Sequence, residues 1–299
     1  MSGDDLWTRV LERTREAAAC GAQQSIPTDY EFVDDGDIRF LVRVVANLKR
    51  KDAERKAVDP FRLPRQAQAN PFLPYDEELF VAHLSSSHVC LLNKFNVVDH
   101  HLLIVTRGYE EQEDLLTLAD FEALWRCLDR IDGLGFYNAG AAAGASQRHK
   151  HLQLVPLPLA PTGPAVPIGP LLRLAPQDGR IGTSPALPFA HAFIRSPDRD
   201  GPVREAAGPS LAAYLGLLRA VALIPEEGPP PPSASAPYNL LCTRDWMLLA
   251  PRSEEYVERI SLNALGFAGA LLVRSPEDLA RLKQIGPMEI LRRTGVPAP

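Results

Sequence analysis

Two histidines and a glutamine recur at every second residue in Gly144-Ala145-Ser146-Gln147-Arg148-His149-Lys150-His151-Leu152-Gln153-Leu154-Val155-Pro156, and an apolar run closes the segment. In an extended strand, alternate side chains share a face. His149, His151, Gln153 and Val155 then line one side, and Lys150, Leu152 and Leu154 point to the other. An imidazole is a good phosphorus nucleophile because its neutral form is populated near pH 7 and it leaves readily afterwards. To attack with one ring nitrogen, the other must keep its proton, which requires an acceptor behind the ring, commonly a backbone carbonyl. The histidine two residues earlier on the same face can position that acceptor or the substrate phosphate. Gln153 adds an amide that binds a phosphate or bridging oxygen without adding charge. Backbone N–H groups between Gly144 and Gln147, with the Ser146 hydroxyl and the Gln147 amide, can stabilise charge on nonbridging oxygens.

A His-x-His pair also serves as a structural element or a metal site. Zinc or iron would need a third ligand, for which His191, His100 or His101 could be drawn in. No acidic residue follows the pair until Asp178, and Gln153 is a poor ligand for soft transition metals. Phosphate chemistry fits the row better, and no metal ligands are assigned. His100 and His101 read as structural or solvent-facing.

The elements that carry this row can be read around it. A helix over 4–20 has Leu6, Val10 and Leu11 at helical spacing and Gly21 as its stop. Strand-like runs follow at Leu79–Leu84, His88–Lys94 and His101–Thr106, with connections short enough for antiparallel neighbours. Thr117 and Asp120 form a capping box, and Phe121, Leu124, Trp125 and Leu128 mark one helical face before Gly133. A strand over Gly135–Asn138 leads into the small-residue loop before the motif. These elements predict an α+β layer with an antiparallel sheet on one side.

Beyond the motif, prolines from Pro156 to Pro170 break regular structure and give a semi-rigid linker or a wrapping arm. A helix over Leu211–Leu223, strands at Tyr238–Cys242 and Trp246–Ala250, and a last helix capped by Ser275 with Pro276 at its first position make up the rest. The expected division is 1–160 for the catalytic region, 161–184 for the arm and 185–299 for the C-terminal region.

Composition bounds the partners. The 299-residue chain is 45% hydrophobic and 23% charged, with net charge −5. That balance argues against broad nucleic-acid coating, so an anionic substrate must meet a local cationic site. The run Lys49-Arg50-Lys51 reads first as a solvated face, with Lys51 a polyphosphate contact on charge alone. No apolar run approaches the ~20 residues that span a bilayer, and Met1 to Trp7 lacks the pattern of a signal peptide. Cys20, Cys90, Cys127 and Cys242 are scattered, without zinc or disulfide spacing. A cytoplasmic protein is expected, with neither membrane nor nucleic acid as partner and an oligomeric state left open.

The motif resembles the signature of the ATP adenylyltransferases, or diadenosine tetraphosphate phosphorylases, of the histidine-triad superfamily. Similar segments occur in order at Asn70-Pro71-Phe72-Leu73-Pro74-Tyr75, Leu91-Leu92-Asn93-Lys94-Phe95, Tyr238-Asn239-Leu240, Trp246-Met247 and Asn263-Ala264-Leu265-Gly266-Phe267-Ala268-Gly269. The superfamily's hydrolase branch carries a third histidine where this chain has Gln153, and its transferase branch carries glutamine. The resemblance therefore implies a histidine-triad-like antiparallel sheet with helices and a smaller C-terminal α/β region packed against it. It implies a nucleotidyltransferase that phosphorolyses diadenosine tetraphosphate reversibly to ATP and ADP through an adenylyl-histidine. Carried over by position, His151 is the nucleophile, His149 its strand partner and Gln153 a phosphate ligand. Asn93, Lys94, Gly144, Ser146 and Gln147 hold phosphates, and Asn138 makes a ribose or phosphate contact. No tightly bound cofactor is expected; Mg²⁺ can ride on the substrate phosphates. The alternatives are a nucleotidyltransferase with another acceptor, such as a sugar phosphate or sulfate, and a non-enzymatic nucleotide sensor.

Overall fold

The computed structural model describes residues 5–45, 70–196 and 203–298. Its opening helix, α1 (Leu6–Cys20), is capped by the Asp5 side chain and closed by Gly21 in the left-handed region, φ 80°. A hairpin outside the expected elements follows. β1 (Thr28–Asp35) and β2 (Ile38–Val45) pair antiparallel around a turn with Gly36 at φ 62°.

The central sheet has eight strands, each paired antiparallel with its neighbours. They are β3 (Phe80–His83), β4 (His88–Leu92), β5 (Leu102–Thr106), β6 (Gly133–Ala139), β7 (His151–Pro156), β8 (Ala192–Arg195), β9 (Tyr238–Cys242) and β10 (Trp246–Pro251). Their spatial order is β3-β4-β5-β7-β6-β9-β10-β8. The C-terminal region therefore contributes three strands to the same sheet as the motif strand, besides packing against it. A smaller sheet joins β1 and β2 to Ala270–Val273, which runs parallel to β2.

Each face of the central sheet carries its own core. On one, α2 (Leu118–Leu128) and α3 (Val203–Ala220) bury Leu152 and Leu154 of β7 among Phe121, Leu124, Tyr214 and Leu217. The capping box of α2 forms as expected: Asp120 accepts from Thr117 N–H at 2.7 Å, and Thr117 Oγ1 takes the Asp120 N–H at 3.4 Å. Gly133 does not end this helix, which stops at Leu128, but opens β6. The opposite face is covered by the proline-rich arm, which wraps rather than links: Leu159, Val166, Ile168 and Leu171 are buried against Val155, Phe136 and the small sheet. Farther along this face, Phe72 packs on Val89, Leu91, Leu103 and Val105. The motif's polar row emerges between these two apolar patches.

Candidate active site

β7 keeps the alternation expected of it, although its ladder starts at His151 and His149 forms only an isolated bridge with Glu111. His151 is 4% exposed, and its Nδ1 donates to the carbonyl of His149 at 2.8 Å. That bond fixes the proton on Nδ1 and leaves the Nε2 lone pair available; among the described residues no hydrogen bond engages Nε2. Burial pushes the His151 pKa down to about 4, against the favourable carbonyl contact, so the ring is neutral at ordinary pH. The ring lies 5.3 Å, centroid to centroid, from Phe72, tilted by 53°.

His149 is bound at both ends. Its Nε2 faces the carbonyls of Thr106 at 2.9 Å and Gly108 at 3.1 Å, and so carries the proton. Its Nδ1 accepts from the Asn70 amide at 3.0 Å, and Phe72 N–H holds the Asn70 oxygen at 3.0 Å. Burial lowers its pKa as well. Both of its ring nitrogens are thus engaged, and its main-chain carbonyl is the group that stands behind His151.

Gln153 is aimed by a relay. Phe95 N–H bonds Asn93 Oδ1 at 3.1 Å, so Asn93 Nδ2 donates to His101 Nδ1 at 3.1 Å. His101 Nε2 must then donate, and it does so to Gln153 Oε1 at 3.0 Å. The Gln153 N–H pair is turned away from that contact and is available to a ligand oxygen. Desolvation takes the His101 pKa down to about 4, which keeps the relay neutral. The expectation of a structural or solvent-facing His101 is thus corrected in part: it is 6% exposed and orients a motif residue. The strand phase was the available signal, because His101, just ahead of β5, is in phase with Leu103 and Val105, and Leu103 pairs with Gln153. His100 and His191 serve elsewhere, bonded to Thr14 at 3.2 Å and to Ser184 N–H at 2.8 Å.

Asn138 is set in a comparable way. Its Oδ1 accepts from Asn239 Nδ2 and from Ala264 N–H, each at 2.9 Å, so its own amide N–H groups are not used in these contacts. Asn239 is in turn held by Arg252, a 2%-exposed guanidinium that also bonds the carbonyls of Leu262 and Thr294. Burial lowers the Arg252 pKa to about 10. Nothing in the local sequence signals this buttress.

The loop before β7 departs from expectation. The N–H of Gly144 bonds Ala141 O at 2.9 Å and that of Ala145 bonds Gly140 O at 3.2 Å, so neither is open to phosphate. Gly144 matters sterically instead: at φ 89° a Cβ there would meet Leu262 O at 2.7 Å and Asn263 Cα at 2.8 Å. Ser146 is exposed and Gln147 half-buried at the loop's end. Lys94 is half-exposed, its Nζ a loose 4.0 Å from Asp76, so it can turn toward an anion. Lys51 lies outside the described residues. The arrangement provides one buried, neutral, singly tethered imidazole with amide donors beside it, which is equipment for nucleophilic attack on phosphorus.

The chain matches the family model of the Ap4A phosphorylase N-terminal domain over residues 1–174 and that of the ATP adenylyltransferase C-terminal domain over 185–297. A diadenosine 5′,5‴-P1,P4-tetraphosphate phosphorylase 2 of Saccharomyces cerevisiae is 30% identical over 270 residues, spanning 78% of this chain and 74% of that protein. Among solved structures, the yeast Ap4A phosphorylase Apa2 in complex with AMP superposes with a TM-score of 0.78 at 23% identity, covering 99% of this chain and 98% of the other. The same enzyme in complex with Ap4A gives 0.76 at 23%, covering 99% of each chain.

Proposed function

The chain belongs to the Ap4A (diadenosine tetraphosphate) phosphorylase family, and from that premise we propose that it is a nucleotidyltransferase splitting diadenosine tetraphosphate with inorganic phosphate, reversibly, into ATP and ADP. The observation that carries the mechanism is the pair of ring nitrogens of His151, one tethered to the His149 carbonyl at 2.8 Å and the other open. Nε2 attacks the α-phosphorus, the P–O bond to the remaining three phosphates breaks, and ATP leaves. The adenylylated ring is cationic, and the His149 carbonyl behind Nδ1–H stabilises that charge. Inorganic phosphate then attacks the same phosphorus, the P–N bond breaks, and ADP departs with His151 restored. Two easier displacements replace one hard one.

Gln153 and Asn138 direct amide N–H groups toward the oxygens of the transferring phosphoryl group. Ser146 and Gln147 at the loop's end hold its nonbridging oxygens, and Lys94 and Asn93 meet the phosphates at the opposite lip. Mg²⁺ enters this reading as part of the substrate, carried on the polyphosphate. A cytoplasmic setting accords with four cysteines that, among the described residues, form no disulfide; among those residues no helix is long and apolar enough to cross a membrane.

Product analysis tests the reading. With diadenosine tetraphosphate and phosphate the expected products are ATP and ADP in equal amounts, at a rate that rises with phosphate until the acceptor site saturates. AMP as the main product in saturating phosphate would reject the reaction class.

A further inference from the structure

β6 and β7 pair regularly from Gly133↔Pro156 to Phe136↔Gln153, and there the ladder ends. Continued in register, Asn138 would stand opposite His151. The two strands instead part at that level, and the side chain of Gln112, 2% exposed, occupies the gap. Its Oε1 accepts the N–H of His151 at 2.9 Å. Its Nε2 donates to the carbonyls of Asn138 at 3.0 Å and His151 at 3.2 Å. One amide thus replaces the missing ladder and holds both main-chain groups of the attacking residue.

Gln112 is itself braced to both strands. Its N–H bonds Arg148 O at 2.7 Å, and its carbonyl accepts from the Tyr137 hydroxyl at 2.6 Å. Lys150 N–H bonds Glu110 O at 2.9 Å. The segment from Glu110 to Gln112 therefore takes over as the neighbour of the motif just where β6 leaves it. Parting the strands leaves an unpaired stretch at the nucleophile, whose buried N–H and C=O would otherwise lack partners. Nothing in the expected site residues includes position 112.

We infer that Gln112 is a positioning residue for His151: inserted where β6 and β7 part, it fixes the nucleophile's main chain and so the aim of Nε2. The inference rests on the phosphorolysis reading. Misplacing an attacking atom by about 1 Å costs ~10²-fold in rate. Gln112→Met keeps the length of the side chain and removes all three hydrogen bonds. Gln112→Glu keeps the acceptor and removes both donors.

The experiment is single-turnover adenylylation with diadenosine tetraphosphate in the absence of phosphate, read as rate and amplitude, beside AMP binding by calorimetry. For Gln112→Met the expected result is a rate lowered ~10²-fold with full amplitude and AMP affinity within about twofold of wild type. Gln112→Glu falls between it and the wild type. Loss of amplitude at unchanged rate, or wild-type rates in both variants, would overturn the inference, because either would make Gln112 a structural residue only. Failure of both variants to fold would do the same. Absence of adenylylation in the wild-type protein would instead overturn the phosphorolysis reading.

Discussion

The two faces of β7 are built from neighbouring residues and follow opposite electrostatic rules. On the face of His151 and Gln153, the imidazoles of His149, His151 and His101 are all pushed toward neutrality by burial, and each is tied to uncharged partners. On the other face, Lys150 is fully buried with Nζ 3.0 Å from Asp120, from Glu110 and from the Leu115 carbonyl. Asp120 also meets His88 Nε2 at 3.0 Å. Burial alone would raise the Asp120 pKa, but His88, Lys150 and Thr117 hold it down to about 2. The charged cluster pins the strand from behind, and the chemical face keeps a lone pair that no nearby carboxylate pulls toward protonation. What separates them is which groups the fold leaves unfinished: Lys150 has all three donors engaged, and His151 keeps one nitrogen open.

Breaking each face should therefore give a different kind of failure. The largest effect belongs to His151→Ala, which should remove turnover by several orders of magnitude, ~10⁴-fold or more, while the melting temperature and AMP binding stay near wild type. Because burial lowers this pKa to about 4, the wild-type acid limb of the adenylylation rate should lie near pH 4, below the ~6.5 of an ordinary histidine; stopped-flow rates across that range read it. Asp120→Ala should act on the other face, leaving Lys150 without its buried partner. Unfolding in urea should show a loss of ~3–5 kcal/mol, with kcat per folded molecule close to wild type. A kcat that collapsed while stability held would erase the distinction between the faces.

Smaller effects sharpen it. His101→Phe keeps an aromatic ring in place, somewhat larger than imidazole, and cuts the relay from Asn93 to Gln153. A drop in kcat of about tenfold is expected, below the ~10²–10³ that outright loss of a transition-state donor costs, and steady-state kinetics beside Gln153→Ala would place the two on one scale. Lys94→Ala, at a half-exposed site, should raise KM for diadenosine tetraphosphate about threefold to tenfold, in a salt-sensitive manner. Unchanged kinetics there would return Lys94 to a strand-end residue paired with Asp76.

The alternation of β7 and the helix caps were legible because period and cap chemistry are local. The Thr117–Asp120 box, and the Ser275 cap with Pro276 at the first position, formed as their spacing dictates. The hairpin of β1 and β2 carries a local signal too, two β-branched and aromatic runs around the turn residues Asp35-Gly36. What the chain did not disclose is pairing across distance. His101 meets Gln153 from 52 residues away and Gln112 reaches His151 from 39. Such contacts follow from sheet order, β5 beside β7 and a split between β7 and β6, which no local pattern encodes. The Gly144 amide departs from its reading for a related reason: its N–H closes a turn, and its missing Cβ admits Leu262 and Asn263 from the C-terminal region.

The central claim is that His151 Nε2, and no other atom, takes the adenylyl group. A phosphoramidate survives base and is labile in acid, so the enzyme can be mixed with diadenosine tetraphosphate without phosphate, quenched in base, digested and mapped by mass spectrometry. The expected result is one AMP-bearing peptide, with the modification on His151, that disappears when phosphate is added before the quench and yields ADP as it does so. An adduct on His149, or full phosphorolytic activity with no adduct at any time, would contradict the account.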